Sequence, residues 1–201
     1  MKISKSLGAA ALALAAFSAQ AQSSIQVLNG SFEFGSQTAL TGWAITSANL
    51  TPTVDFSGTS GSLFIDLDSA TGSSKKWANS SISQTISGTG LVTLSFWYMA
   101  NSSNTGSTNQ VNFALGGFTG SVLGGSSNST GWQQYSEQVN LNATGSTLLS
   151  FTAAGTKDGI GGYIDNVSVT AVPEPESYAM LLAGLGLMGT IALRRNKNRK
   201  G

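Results

Sequence analysis

The chain predicts an all-β sandwich, and three observations carry that expectation. Between residues 22 and 171 the apolar side chains come in short alternating bursts, clusters of Gly, Ser, Thr and Asn separate the bursts, and no stretch of ordinary helix length shows a 3.6-residue period. Strands are expected at 24–28, 43–46, 63–67, 81–86, 91–99, 110–115, 133–141, 147–152 and 163–170. Nine short strands in one domain of this size suggest two packed sheets.

Alternation assigns faces. Along 91–99, Val92, Leu94, Phe96 and Tyr98 form one apolar set, whereas Thr93, Ser95, Trp97 and Met99 point the other way. The first set is core. Val111, Phe113 and Leu115 alternate in the same manner with Gln110 and Asn112, and Tyr135, Val139 and Leu141 alternate with Gln134, Gln138 and Asn140. Trp43 and Trp132 each follow a glycine at a strand start and are expected to plug the core. Breaker clusters at 101–108, 116–117, 124–131 and 155–162 mark the loops, and strands recur on both sides of each.

Both termini read as targeting segments. Lys2 and Lys5, an apolar run from Leu7 to Phe17 and the small-x-small pattern Ala19-Gln20-Ala21 make residues 1–21 a signal peptide, cut by signal peptidase after Ala21. At the other end Pro173-Glu174-Pro175 precedes an apolar run and then Arg194, Arg195, Lys197, Arg199 and Lys200. Ala179 to Leu193 carries no charge, but fifteen residues make only about 22 Å of helix, short of a comfortable bilayer span. Such a transmembrane helix suits a thinned membrane or a transient stay, and the basic tail would remain cytoplasmic. An anchor that is never cut would use the same residues.

This three-part order in 172–201 resembles the PEP-CTERM sorting signal of Gram-negative bacteria. The resemblance implies processing by exosortase, a membrane protease-transpeptidase, and delivery to the cell surface, outer membrane or extracellular matrix after transient anchoring in the inner membrane.

The domain left between these segments, 22–171, has its own charge. Seven of the ten cationic residues lie in the targeting ends, so Lys75, Lys76 and Lys157 face seven carboxylates, a net of −4. An acidic surface is a poor partner for nucleic acid. The chain has no cysteine and no histidine, which removes disulfides, the usual zinc ligand and the usual general base.

A second resemblance rests on Asn29-Gly30-Ser31-Phe32-Glu33, Gly42-Trp43, the Ser62 to Leu67 segment, Ile82 to Ile86, Gly131-Trp132 and Tyr163 to Val169, taken in that order. Together they are similar to the choice-of-anchor C family, which resembles jelly-roll carbohydrate-binding modules of the galactose-binding-like fold. It implies a jelly-roll sandwich with a structural calcium held by Glu33 and Asp165 plus backbone carbonyls. Asp66 and Asp68 form a further acidic pair, which suits a solvated strand end better than a metal.

Function is expected to be binding rather than catalysis. Seven carboxylates offer little for a glycosidase pair, although Asp55, Asp66 and Glu137 are the residues to watch, and serine chemistry lacks its histidine. A sugar-binding face needs an exposed aromatic ring with amides around it. Trp97 is the first candidate, with Asn112 and Gln134 on polar strand faces and Trp77 beside Lys75 and Lys76. The expectation is therefore a secreted, non-catalytic component that adheres to extracellular polysaccharide. Two alternatives are a matrix structural protein without a specific sugar and a polysaccharide hydrolase.

Overall fold

A computed structural model describes residues 25–36, 38–47, 55–59, 62–71, 76–101, 108–123, 131–142, 145–159, 161–173 and 175–198. The expected signal peptide, with Ala19 and Ala21, lies outside the described residues, as do Lys75 and Glu174.

Two antiparallel sheets face each other across one core, forming a jelly-roll sandwich. The larger sheet orders its strands β10 (Phe118–Val122), β9 (Val111–Leu115), β12 (Ser146–Ala153), β7 (Lys76–Ser87) and β3 (Ala44–Ser47), with β6 (Asp68–Thr71) on the first part of β7. The smaller orders β11 (Gln133–Leu141), β8 (Gly90–Met99), β13 (Tyr163–Ala171), β5 (Ser62–Asp66) and β4 (Asp55–Thr59). A short ribbon, β1 (Gly35–Ser36) with β2 (Ala39–Leu40), precedes them. β9 and β10 join through Gly116-Gly117, where Gly116 takes φ +60°, a backbone geometry a two-residue hairpin demands and a side chain resists.

The expected core set holds, with Tyr98 and Tyr135 half-buried against it. Val92, Leu94 and Phe96 are fully buried, as are Val111 and Leu115, with Phe113, Val139 and Leu141 close behind. Aromatic rings make the centre: Phe96 stacks on Tyr135 at 5.0 Å and meets Phe151 at 5.0 Å and Phe113 at 5.1 Å edge-on. Trp43 is buried as expected, against Phe32 at 5.5 Å, and its Nε1–H donates to the Asn29 carbonyl.

The expected strand at 24–28 is not formed by its described residues, which begin at Ile25. Instead the buried Gln84 takes the role of a pairing strand, accepting from the Leu28 N–H at 2.7 Å and donating to the Leu28 and Gly42 carbonyls at 3.0 and 2.6 Å. The segment then docks on the last strand, where the Val167 N–H donates to the Gly30 carbonyl at 2.8 Å. Phe32 follows at φ +55°, an unfavourable conformation for a large side chain, held in place by full burial of its ring.

Asp66 and Asp68 do not sit at a solvated strand end. Both are buried and fasten the 155–162 loop: Asp68 Oδ2 accepts from the Asp158 and Gly159 N–H groups at 3.0 and 3.1 Å, and Asp66 Oδ2 from Gly161 at 3.4 Å. Each carboxylate thus staples backbone N–H groups of that loop.

Beyond the sandwich, helix α1 (Pro175–Asn198) opens on a proline, the residue favoured at the first helical position. Residues 179–190 are exposed throughout and add nothing to the core. No helix among the described residues is long and apolar enough to cross a membrane, which corrects the expected transmembrane helix. Gly184, Gly186, Gly189 and Thr190 dilute the apolar run, and Arg194 and Arg195 end it.

Candidate functional site

The outer face of the five-stranded sheet gathers three residues of the expected site, Trp97, Gln134 and Asp165. Trp97 is 38% exposed, while its neighbours Phe96 and Leu94 on the other face are sealed. Register puts Gln134 of β11 directly opposite Trp97 on one side and Asp165 of β13 directly opposite on the other. Directly opposed residues share a face with Cβ atoms about 4.5–5.5 Å apart, so the indole lies between an amide and a carboxylate.

Sequence reasoning missed the aromatic group beside it. Tyr163 and Phe64 flank the buried Ile164 and Ile65 in sequence and therefore point outward; their rings lie 4.7 Å apart. Trp132 packs edge-on against Phe64 at 5.2 Å and is half-buried, so it belongs to this outer group rather than plugging the core. Burial raises the Tyr163 phenol above its ordinary range, and the charge of Asp66 adds to that. Strict alternation around the buried Ile65 and Ile164 is the signal that would have found both rings.

Asp165 is the electrostatically distinctive group. Burial pushes its carboxyl up to about 6, the Asn166 N–H lowers it in part, and the charge of Glu33 raises it again. Asn166 donates twice to it, N–H to Oδ1 at 2.6 Å and Nδ2–H to Oδ2 at 3.0 Å, from a left-handed residue at φ +50° where the β13–β8 register shifts. Glu33 Oε1 accepts from the Leu63 N–H at 2.7 Å. The two ends of the domain thus bring Glu33 and Asp165 close enough to repel.

These are hard oxygen donors of the kind calcium takes, though it takes about 6–8 of them. Among the described residues no group of three or more His, Cys, Asp or Glu side chains gathers, so any calcium here would lean on backbone carbonyls.

Asn112 is placed elsewhere. It lies on the outer face of the six-stranded sheet and lines a cavity of about 410 Å³ with Thr119, Ser150 and Thr152, so it cannot share a ligand with Trp97. On that face cross-strand rows run Ser121, Asn112, Thr152, Ser81, Thr46 and Thr119, Ala114, Ser150, Ser83, Ala44, all small and uncharged. Trp77 belongs to β7, but its side chain lies outside the described residues, as does that of Asp55. Asp66 is committed to the loop, and Glu137 stands exposed on β11, so neither forms a glycosidase pair with the other.

In fold the chain is similar to TmCBM61 in complex with beta-1,4-galactotriose, with 18% identity, 73% of this chain and 98% of that one covered, and a TM-score of 0.48. It is similar to a CBM4 module at 18% identity, covering 72% and 99%, with a TM-score of 0.47. A further likeness, to the enzymatically active domain of tailspike protein 4 of bacteriophage CBA120, has 17% identity, covers 74% of this chain and 21% of that one, and reaches a TM-score of 0.50.

Residues 171–196 match the PEP-CTERM protein-sorting motif. Pro173 and Pro175 fall inside that match with Glu174, and Pro173 is exposed. The motif marks a chain exported and sorted to the cell surface in Gram-negative bacteria, with exosortase and signal peptidase as processing partners. No curated protein matches the chain.

Proposed function

We propose that the exported domain is a non-catalytic glycan adhesin that binds extracellular polysaccharide on the Trp97 face. The single observation behind this reading is an exposed indole held between Gln134 and Asp165, with Tyr163, Phe64 and Trp132 on the same sheet face or packed against it. An indole covers the apolar face of a pyranose while amide and carboxylate groups take its hydroxyls. The sorting tail directs the exported domain, through exosortase, to the outer membrane or the matrix. Saturable binding of the purified protein to a polysaccharide panel, read by tryptophan fluorescence, is expected to weaken about 10-fold or more in Trp97→Ala. Undiminished binding by that variant would remove the site from this face.

A matrix structural role is the second reading. The uncharged hydroxyl rows of the six-stranded sheet favour it, since they offer neither ring nor charge for a specific ligand.

Calcium belongs to the same proposal as a structural ion at Glu33 and Asp165. A carboxyl whose folded pKa of about 6 exceeds its ordinary 3.8 stabilises the fold at low pH, and that contribution is lost as pH rises between the two values. In chelator, the melting temperature of wild type relative to Asp165→Asn is therefore expected to fall from about pH 4 to pH 7. Calcium at neutral pH is expected to restore wild type and to leave the variant unchanged. Equal melting curves with and without calcium would argue against the ion.

A further inference from the structure

Two features of the Trp97 face point to one class of sugar. The indole is flanked directly by the Asp165 carboxylate, with Glu33 near enough to repel it. Strands β4, β5, β8, β11 and β13 contain no lysine or arginine at all, so nothing cationic on them offsets these charges.

We infer that this face selects an amino sugar, a hexosamine unit carrying a free protonated amine, over neutral and acidic sugars. The inference rests on the glycan-adhesion reading and names its ligand. An ammonium group over the face of an indole is drawn by the ring's negative face, and it would supply beside the Asp165–Glu33 pair the cation that these strands lack. A uronic acid would bring a third negative charge to the same surface. An N-acetylated hexosamine keeps the ring and loses the charge, so it should gain only the stacking contact.

The geometry also says where the amine goes. Asp165 lies opposite Trp97 across the β8–β13 pair, so a pyranose stacked on the indole reaches it with a substituent on its edge. Gln134, opposite on the β11 side, is left for hydroxyls. A calcium ion at Glu33 and Asp165 would discharge the pair and is expected to narrow the preference for the amine.

The test uses the full chain and three hexasaccharides: glucosamine, N-acetylglucosamine and galacturonate. In low-salt, calcium-free buffer at neutral pH, the glucosamine hexamer is expected to bind about 10-fold more tightly than its acetylated form, with the galacturonate hexamer weakest. The Glu33→Gln, Asp165→Asn double variant should lose that ratio while keeping its affinity for the acetylated hexamer. Because the variant can fail to fold, a second measurement needs none: raising salt with wild type should shrink the ratio toward one. Equal, Trp97-dependent binding of the amine and acetyl forms, or tightest binding of galacturonate, would overturn the amino-sugar assignment and leave the adhesion reading standing. No binding of any hexamer by a folded protein would overturn both.

Discussion

Phe96→Ala is expected to destabilise the domain by about 3–5 kcal/mol, the range for deleting a buried aromatic ring from a packed core. Phe96 is fully buried and touches four other rings, two from each sheet: Tyr98 and Tyr135 belong to the smaller sheet, Phe113 and Phe151 to the larger. Its strand, β8, is paired on both sides, so the backbone has little freedom to collapse into the hole. For a domain of this size each kcal/mol is worth roughly 2–4 °C, so the melting temperature should drop by about 10 °C. Thermal and denaturant unfolding of wild type and variant side by side would measure this. A loss below about 1 kcal/mol would mean that the two sheets are not joined through this ring.

The second large effect is expected at Gly30, for a reason of space. A Cβ at this position would stand 2.0 Å from the Val167 carbonyl oxygen, which is backbone of the last strand and has no rotamer to move to. Gly30→Ala should therefore push the N-terminal segment off β13, lose the Val167 to Gly30 hydrogen bond and loosen the seat of Phe32. The cost is on the order of 2 kcal/mol, a lost hydrogen bond plus part of a buried ring. Hydrogen exchange at Val167 should quicken along with the fall in melting temperature. If stability and exchange both stay put, the segment rides on the sheet without holding it.

Much of this architecture is legible in local pattern. The alternation in 91–99 is enough to name the buried face of β8, and Val111, Phe113 and Leu115 do the same for β9. The elements that escape such reading are those whose pattern is masked by composition. β10 contains Gly120 and follows two more glycines, and β6 opens on Asp68, so both read as loop. The 24–28 segment has the right apolar residues, but its hydrogen bonds go to the Gln84 side chain, a partner 56 residues away.

The site divides along the same line. That Trp97 and Gln134 point away from the core follows from period two alone. That Asp165 stands beside Trp97 depends on the register of strands 68 residues apart in sequence, which no local periodicity encodes. Alternation groups Asn112 with Trp97 because it says which residues leave the core but not which of two outer faces they reach. Family resemblance pairs Glu33 with Asp165, and the fold brings them within electrostatic reach.

The order in which the strands close bears on how such a chain leaves the cell. β13, the central strand of its sheet, is the last to be synthesised, and β8 on one side and β5 on the other both lack a neighbour until it arrives. The seal between Gly30 and Val167 likewise waits for the final stretch of the domain. Pairings this distant in sequence carry a large loop-closure cost and form slowly. A nascent chain that cannot complete its sandwich until its end is made remains a thread for longer, which is the state a translocation pore accepts.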